Sequence, residues 1–173
     1  MDYRIRQGSP TDAPSLMHIE HACRVAAGYL PEEMRFARPR LWRPWLQCNP
    51  PFNRNPSVRR IYVAFQHTDI LGFVAAAHDS LYGGYDSHIH GLYVLPRYRR
   101  QRIGFALLHF MAVWLDNEGL SRATVDTFAG DPTRQFFHRR GAFVISTSEG
   151  TPDPASIITY GFPDLRQLAV TIS

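Results

Sequence analysis

Apolar residues along this chain recur at two spacings, and the switches between them lay out the elements. Residues 3–7 read as a short strand. Thr11 suits an N-cap, with Asp12 and Pro14 in the first turn of a helix that runs to about Ala27. Residues 31–46 suggest a second helix, interrupted near Pro39 and Pro44, and the Pro- and Asn-rich stretch 49–57 reads as a loop. Ile61, Val63 and Phe65 then alternate at period two within a strand over 58–65. A turn at 66–69 leads to an apolar strand over 70–77, which makes a hairpin. The loop 79–86 contains Gly83-Gly84, and 88–95 is a further strand rich in β-formers. Ile103, Leu107, Phe110, Met111, Trp114 and Leu115 return to helical spacing and trace one face, with Gly119 as the stop signal. Residues 123–128 form a strand. Asp131-Pro132 opens a helix to Arg140, and 143–147 and 157–162 are the last two strands. The order β-α-α-β-β-β-α-β-α-β-β predicts one α/β domain over residues 1–173, with a mixed central sheet flanked by helices.

Composition narrows the chemistry. The chain is 45% hydrophobic and 20% charged, an ordinary globular balance. No apolar run approaches the ~20 residues of a membrane span. The N-terminal MDYRIRQ lacks the apolar stretch of a secretory leader, so the expectation is a cytoplasmic protein that binds no membrane. All 19 basic residues are arginine, which excludes Schiff-base chemistry on a protein lysine. The net charge of +4 suits a phosphate-bearing ligand. Cys23 and Cys48 show no CxxC spacing and read as reduced structural residues. His18, His21 and Cys23 form no sufficient ligand set, so no metal is expected.

The stretch LYVLPRYRRQRIGFA, residues 92–106, carries the strongest chemical signal. A strand enters an arginine-rich loop and then a helix with Gly104 near its start. Amide N–H groups at a helix N-terminus lack partners and favour an anion. Gly104 lets that anion approach closely, and Arg97, Arg99, Arg100 and Arg102 surround it with positive charge. A phosphate or pyrophosphate site follows. The arginines alone would also suit nucleic acid, but no recognition motif accompanies them, so no nucleic-acid partner is expected.

LYVLPRYRRQRIGFALL resembles the cofactor-binding motif of the GNAT-type N-acetyltransferases, Arg/Gln-x-x-Gly-x-Gly/Ala, through Gln101, Gly104 and Ala106. DPTRQFFHRRGAF resembles that family's second stretch, Asn-x-x-Ala-x-x-Phe-Tyr-x-x-x-Gly-Phe, and ITYGFPDL resembles the last strand of some members. The resemblance implies a GNAT-like sheet with a V-shaped split between the strands at 88–95 and 123–128, and acetyl-CoA lying across the split as cosubstrate. It implies that backbone amides of Arg102, Ile103, Gly104, Phe105 and Ala106 hold the pyrophosphate. The backbone of Leu92, Tyr93 and Val94 would pair with the pantetheine arm, with Arg99, Arg100 and Gln101 beside it. An amine then attacks the thioester directly, from a small molecule or, alternatively, from a peptide. A module that binds acetyl-CoA without turnover is a third reading, and a homodimer is compatible with all three.

The chain departs from the family pattern at three places. The Asn falls at Gly130, the Ala at Thr133, and the Tyr that protonates the leaving thiolate falls at Phe137. His138 and Tyr160 are the substitutes considered for it. The base candidates are His88 and His90, which match positions where family members carry glutamate, with water as the alternative if both histidines are merely satisfied strand residues. Period two places both on one face with Leu92, and Asp86 would orient His88. On the acceptor side, Tyr29, Phe36, Trp42, Trp45 and Phe52 either line a pocket or pack the early helices. Tyr82 and Tyr85 precede the histidine strand, and Arg54, Arg59 and Arg60 either form a solvated surface, the preferred reading, or favour an acceptor bearing a carboxylate or phosphate.

Overall fold

The computed structural model describes residues 2–28, 42–47, 59–79, 82–131, 133–147 and 156–169. The strands are β1 (Arg4–Gln7), β2 (Arg59–Gln66), β3 (Asp69–Ala77), β4 (Ser87–Val94), β5 (Ala123–Phe128), β6 (Phe143–Thr147) and β7 (Ile157–Phe162). The helices are α1 (Ala13–Ala26), α2 (Trp42–Gln47), α3 (Ile103–Asn117), α4 (Arg134–His138) and α5 (Arg166–Ala169). The strands form one sheet in the order β1-β2-β3-β4-β5-β7-β6. Most of the second helix expected at 31–46, the loop at 49–57, and Tyr29, Phe36, Cys48, Phe52, Arg54 and Pro132 lie outside the described residues.

All paired strands run antiparallel except β4 and β5, which are parallel and joined through α3. A parallel neighbour requires a crossover, and here α3 supplies it. The end of β4 and the start of α3 therefore share one end of the sheet. Alternation along the strands sends side chains into two cores. Leu71, Val74, Ala76, Ile89 and Val125 face α3 and α4, whereas Ile61, Val63, Phe73 and Ala75 face α1 and α2. Ile103, Leu107, Leu108, Met111, Ala112, Trp114 and Leu115 anchor α3 in the first core. Trimming Leu107, which is fully buried, to alanine removes about 2–5 kcal/mol of stability.

Several expectations need correction. Phe110 is 42% exposed, because the buried stripe of α3 turns toward Leu108 and Ala112 and leaves Phe110 at its rim against Tyr62. Thr11 does not cap α1. A short 3-10 turn at Pro10–Asp12 precedes the helix, and the Ser9 N–H donates to Asp12 at 2.8 Å. Burial alone would raise the Asp12 pKa, but the Arg6 pair and the Ser9 amide hold it below its ordinary value. Pro44 does not interrupt α2, since it falls in the first turn, where its missing N–H costs no helical bond. The helix expected from Asp131 to Arg140 is α4 alone, with Asp131 accepting the Thr133 N–H ahead of it. The four-residue α5 was not anticipated.

A bulge in β4 overturns the expected facing of its residues. Gly91 pairs with Ala75 and Ile89 with Ala76, so His90 is an extra residue with no partner across the ladder. Beyond the bulge the alternation changes phase. Leu92 packs with the α3 core together with Ile89, and Tyr93 packs with the α1 core. His88 and His90 thus share a face that Leu92 does not.

Candidate active site

The β4–β5 ladder holds three pairs, Ser87 with Ala123, His88 with Thr124 and Ile89 with Val125, and stops there. The strands then splay, and a cleft of about 710 Å³ opens between His90–Val94 and Val125–Phe128. Gly91 permits the geometry. A Cβ there would stand 2.6 Å from the Tyr93 ring, so only glycine lets the bulged strand fold against that ring.

One end of the cleft is built by backbone and arginines. Arg99, Arg100, Arg102, Ile103, Gly104 and Phe105 line it, as do Leu92, Tyr93 and Val94. Arg100 and Arg102 both adopt left-handed conformations, φ +63°, a strained state for non-glycine residues that marks functional loops. Arg102 is the N-cap of α3. The Ala106 N–H is engaged by the Arg102 carbonyl, and the amides of Ile103, Gly104 and Phe105 have no backbone partner among the described residues. Gln101 does not line the cleft and holds the loop instead, through Nε2 to the Arg97 carbonyl at 3.4 Å. A Cβ on Gly104 would meet Val94 at 3.7 Å and Phe136 at 3.9 Å, ordinary contacts, so nothing in the fold itself demands glycine there.

Sequence reading missed several residues on this wall. Arg139 and Arg140 line it from beyond α4, and the Arg140 guanidinium lies 4.2 Å from the centre of the Phe105 ring. Cys23 and Arg24 line it from α1. The Cys23 thiol donates to the Val94 carbonyl, and burial pushes its pKa up against the opposing pull of Arg99. Thr127 also lines the cleft, and its buried hydroxyl has no partner among the described residues. His18 and His21 stay exposed on α1 while Cys23 faces inward, so the three do not converge.

The other end is built by side chains. His88 Nδ1 lies 2.7 Å from Thr124 Oγ1, and Thr124 donates to the Ser87 carbonyl at 3.4 Å. When the hydroxyl hydrogen points there, Nδ1 donates to Thr124 and Nε2 presents a lone pair; when it points to Nδ1, the ring proton sits on Nε2. The rings of His88 and His90 meet edge to face at 4.6 Å, and His90 Nε2 lies 2.9 Å from Asp79 Oδ1. His88 is held below the ordinary imidazole pKa, first by burial and then by the neighbouring His90; Asp126 and Asp79 oppose this. It is therefore neutral at physiological pH. Asp86 does not orient it, because that carboxylate accepts the backbone N–H groups of Ser121 and Arg122. His90 and Asp126 line the cleft, with His88 just behind them.

Aromatic residues pack around the histidines and their strand neighbours. Trp45 packs on His90 with ring centres 4.7 Å apart. Trp42 donates to Glu20 at 2.6 Å, and Glu20 also receives Arg24, which ties α2 to α1. Tyr82 reaches Thr159 at 2.9 Å, and the Tyr85 ring covers Gly161. Arg59 lies over Trp45, but Arg60 turns to the opposite face, bonding Gln7 and covering Trp114. Phe137 is buried against Phe136, Tyr160 and Phe162. Of the substitutes considered for the missing tyrosine, His138 is exposed outside the cleft, and Tyr160 is buried in the core with its hydroxyl on Arg134.

The sequence profile of the Acetyltransferase (GNAT) family matches residues 15–142. A comparison with curated proteins gave no match. Among solved structures, the fold is similar to a protein from Desulfovibrio desulfuricans assigned to the GNAT acetyltransferases. The TM-score is 0.73 at 18% identity, over 95% of this chain and 99% of that one. It is also similar to the PaiA N-acetyltransferase from Thermoplasma acidophilum in complex with coenzyme A, with TM-score 0.70 at 17% identity over 92% and 98% of the two chains. The ribosomal-protein-S18-alanine N-acetyltransferase from Escherichia coli gives TM-score 0.65 at 17% identity over 94% of each chain.

Proposed function

Because the chain belongs to the GNAT acetyltransferase family, we propose that it transfers the acetyl group of acetyl-CoA to the primary amine of a small molecule. The observation that carries this is the cleft itself, opened where β4 loses its β5 partner and running on to the helix-start amides of α3. Its groups fit an extended acyl-CoA. The amides of residues 103–105, with Arg99, Arg100 and Arg102, suit the pyrophosphate. The unladdered edge of β4 and the orphan Thr127 hydroxyl suit the amides of the pantetheine arm. The missing Cβ of Gly104 leaves room for phosphate oxygens to approach the backbone.

At the other end His88 is the base. An incoming ammonium gives one proton to Nε2, and the freed amine attacks the thioester carbon. The C–N bond forms, the C–S bond breaks, the sulfur leaves as a thiolate, and the second proton of the nitrogen passes to that thiolate or to water. With phenylalanine at 137, the leaving group departs without a tyrosine to protonate it, which a thiol of pKa ~8.5 tolerates. The small-molecule reading is supported by the 15% exposure of the His88 side chain, whose ring sits against His90, which in turn packs on Trp45. A flat, open approach would suit a peptide better.

The test is free-thiol release from acetyl-CoA against a panel of small amines and N-terminal peptides. Turnover with small amines above peptides is expected. Binding of acetyl-CoA without thiol release on any acceptor would point to a non-catalytic module instead.

A further inference from the structure

Asp126 was not singled out by the sequence, yet it stands where the two halves of the cleft meet. It projects from β5 beside His88, on the face shared by Thr124 and Thr159. Its Oδ1 accepts the Thr159 hydroxyl at 2.7 Å, and Thr159 in turn meets the Tyr82 hydroxyl. Its Oδ2 has no hydrogen bond among the described residues and faces His88 Nε2 at 3.9 Å. That gap is too long for a direct hydrogen bond. An ammonium nitrogen set about 2.8 Å from each atom fits between them, at the usual length of a charge-assisted bond. Asp126 is 44% exposed at its side chain and lines the cleft, so an incoming group reaches it. No arginine neutralises it among the described ion pairs, although all 19 basic residues of the chain are arginine.

We propose that Asp126 anchors the acceptor as its ammonium form and sets it against His88. The proposal rests on the acetyl-transfer reading of the same cleft. Oδ2 and Nε2 each accept one N–H of the ammonium. One proton passes to Nε2, giving imidazolium beside the carboxylate, and the lone pair so freed attacks the thioester carbon. The second proton leaves the nitrogen as the C–S bond breaks, and it ends on the thiolate directly or through water. Asp79, held on His90 at the far side, adds a second negative charge to the same end. The acceptor class is therefore a primary amine with no carboxylate beside its nitrogen, because such a carboxylate would face Asp126 and Asp79. This runs against the expectation drawn from Arg54, Arg59 and Arg60: Arg60 faces away, Arg59 lies over Trp45, and Arg54 is outside the described residues.

The experiment compares wild type with Asp126→Asn on three probes. Butylamine is charged at assay pH, trifluoroethylamine is largely neutral, and 2-aminobutanoate carries a carboxylate beside its amine. Asp126→Asn keeps an oxygen for Thr159, and an unchanged acetyl-CoA-induced thermal shift reports intact folding. The KM for butylamine should rise about tenfold, as for a lost partly exposed charge contact, while trifluoroethylamine stays within about threefold. The wild-type preference for butylamine over 2-aminobutanoate should shrink by a similar factor. The titratable groups around His88 are His90 from its own strand, Asp126 from β5 and Asp79 after β3. Removing the Asp126 charge should therefore move the acid limb of kcat/KM to lower pH. Thr159→Val, which frees Oδ1, should raise the butylamine KM several-fold without moving that limb. Equal impairment of Asp126→Asn on butylamine and trifluoroethylamine, or impairment on neither, overturns the assignment while leaving acetyl transfer standing. No thiol release by the wild type on any amine overturns acetyl transfer and the Asp126 proposal with it.

Discussion

The two ends of the cleft are made of different material. At the α3 end, one contiguous segment supplies most of the site: a bulged strand, a turn with two left-handed arginines and the first turn of a helix. Its partners are backbone amides and a high density of positive charge. At the histidine end, β4 gives His88 and His90, β5 gives Thr124 and Asp126, the chain after β3 gives Asp79, and α2 gives Trp45. Here the groups are side chains and the charges are carboxylates. Within one groove the lining charges thus differ along its length, mostly arginine where a pyrophosphate would lie and Asp126 where an amine would arrive. A backbone-built end binds a shared moiety in a fixed way. A side-chain-built end can change its specificity through single substitutions.

If that division holds, mutations at the two ends separate binding from chemistry. The largest effect belongs to Gly104→Val. A lone Cβ makes only ordinary contacts with Val94 and Phe136, but valine adds two methyls at a residue that lines the cleft beside the helix-start amides. Acetyl-CoA affinity by calorimetry should fall by about 100-fold or more, ~2.8 kcal/mol, with melting temperature little changed. Next, His88→Ala should lower kcat/KM by about 10²-fold through loss of the base while acetyl-CoA affinity stays as in the parent. A parallel loss of acetyl-CoA affinity in His88→Ala would show that the ends are not independent. Smaller still, Arg140→Ala should weaken acetyl-CoA several-fold, and more at low salt than at high, because its guanidinium is positioned on Phe105 rather than ion-paired. Equal losses at both ionic strengths would assign Arg140 a packing role alone.

The sequence was legible in proportion to how local each feature is. The α3 motif reads directly, because Leu92 to Phe105 lie in one stretch and ten of these fourteen residues line the cleft. Strand order along the chain reads well because alternation and turn residues are local signals. The bulge at His90 does not read, since it is a property of register against Ala75 and Ala76 and the alternation in β4 gives no hint of it. That one inserted residue reversed the expected facing of Leu92. Asp126 and Thr124 carried a faint signal, two polar residues at period two within ATVDTF. Their meaning appears only when parallel pairing sets Thr124 against His88. Asp86 misled for the same reason. It is near His88 in sequence, yet its carboxylate caps the backbone of Ser121 and Arg122 across the sheet.

The smallest expected effect is the most specific to the histidine end, and its sign can be worked out. His88 is depressed below the ordinary imidazole value, by burial first and by the His90 charge second, while Asp126 and Asp79 pull it up. As base it acts in the neutral form, so kcat/KM falls as pH drops through its own pKa, below the usual ~6.5. The same depression bears on folding. The unfolded chain binds this proton first, so the contribution is fully present above ~6.5 and is lost as pH falls toward the folded value. Replacing His90 by alanine removes the repelling charge and part of the cover over His88, and both changes raise the pKa. Replacing Asp79 by asparagine removes an attraction and lowers it. The acid limb of kcat/KM should therefore move to higher pH in His90→Ala and to lower pH in Asp79→Asn, each by less than one unit at these partly exposed positions. Acetyl-CoA affinity at the arginine end should hold in both variants. Shifts of the same sign in the two variants would mean that the limb reports a group other than His88, and the base would have to be sought elsewhere in the cleft.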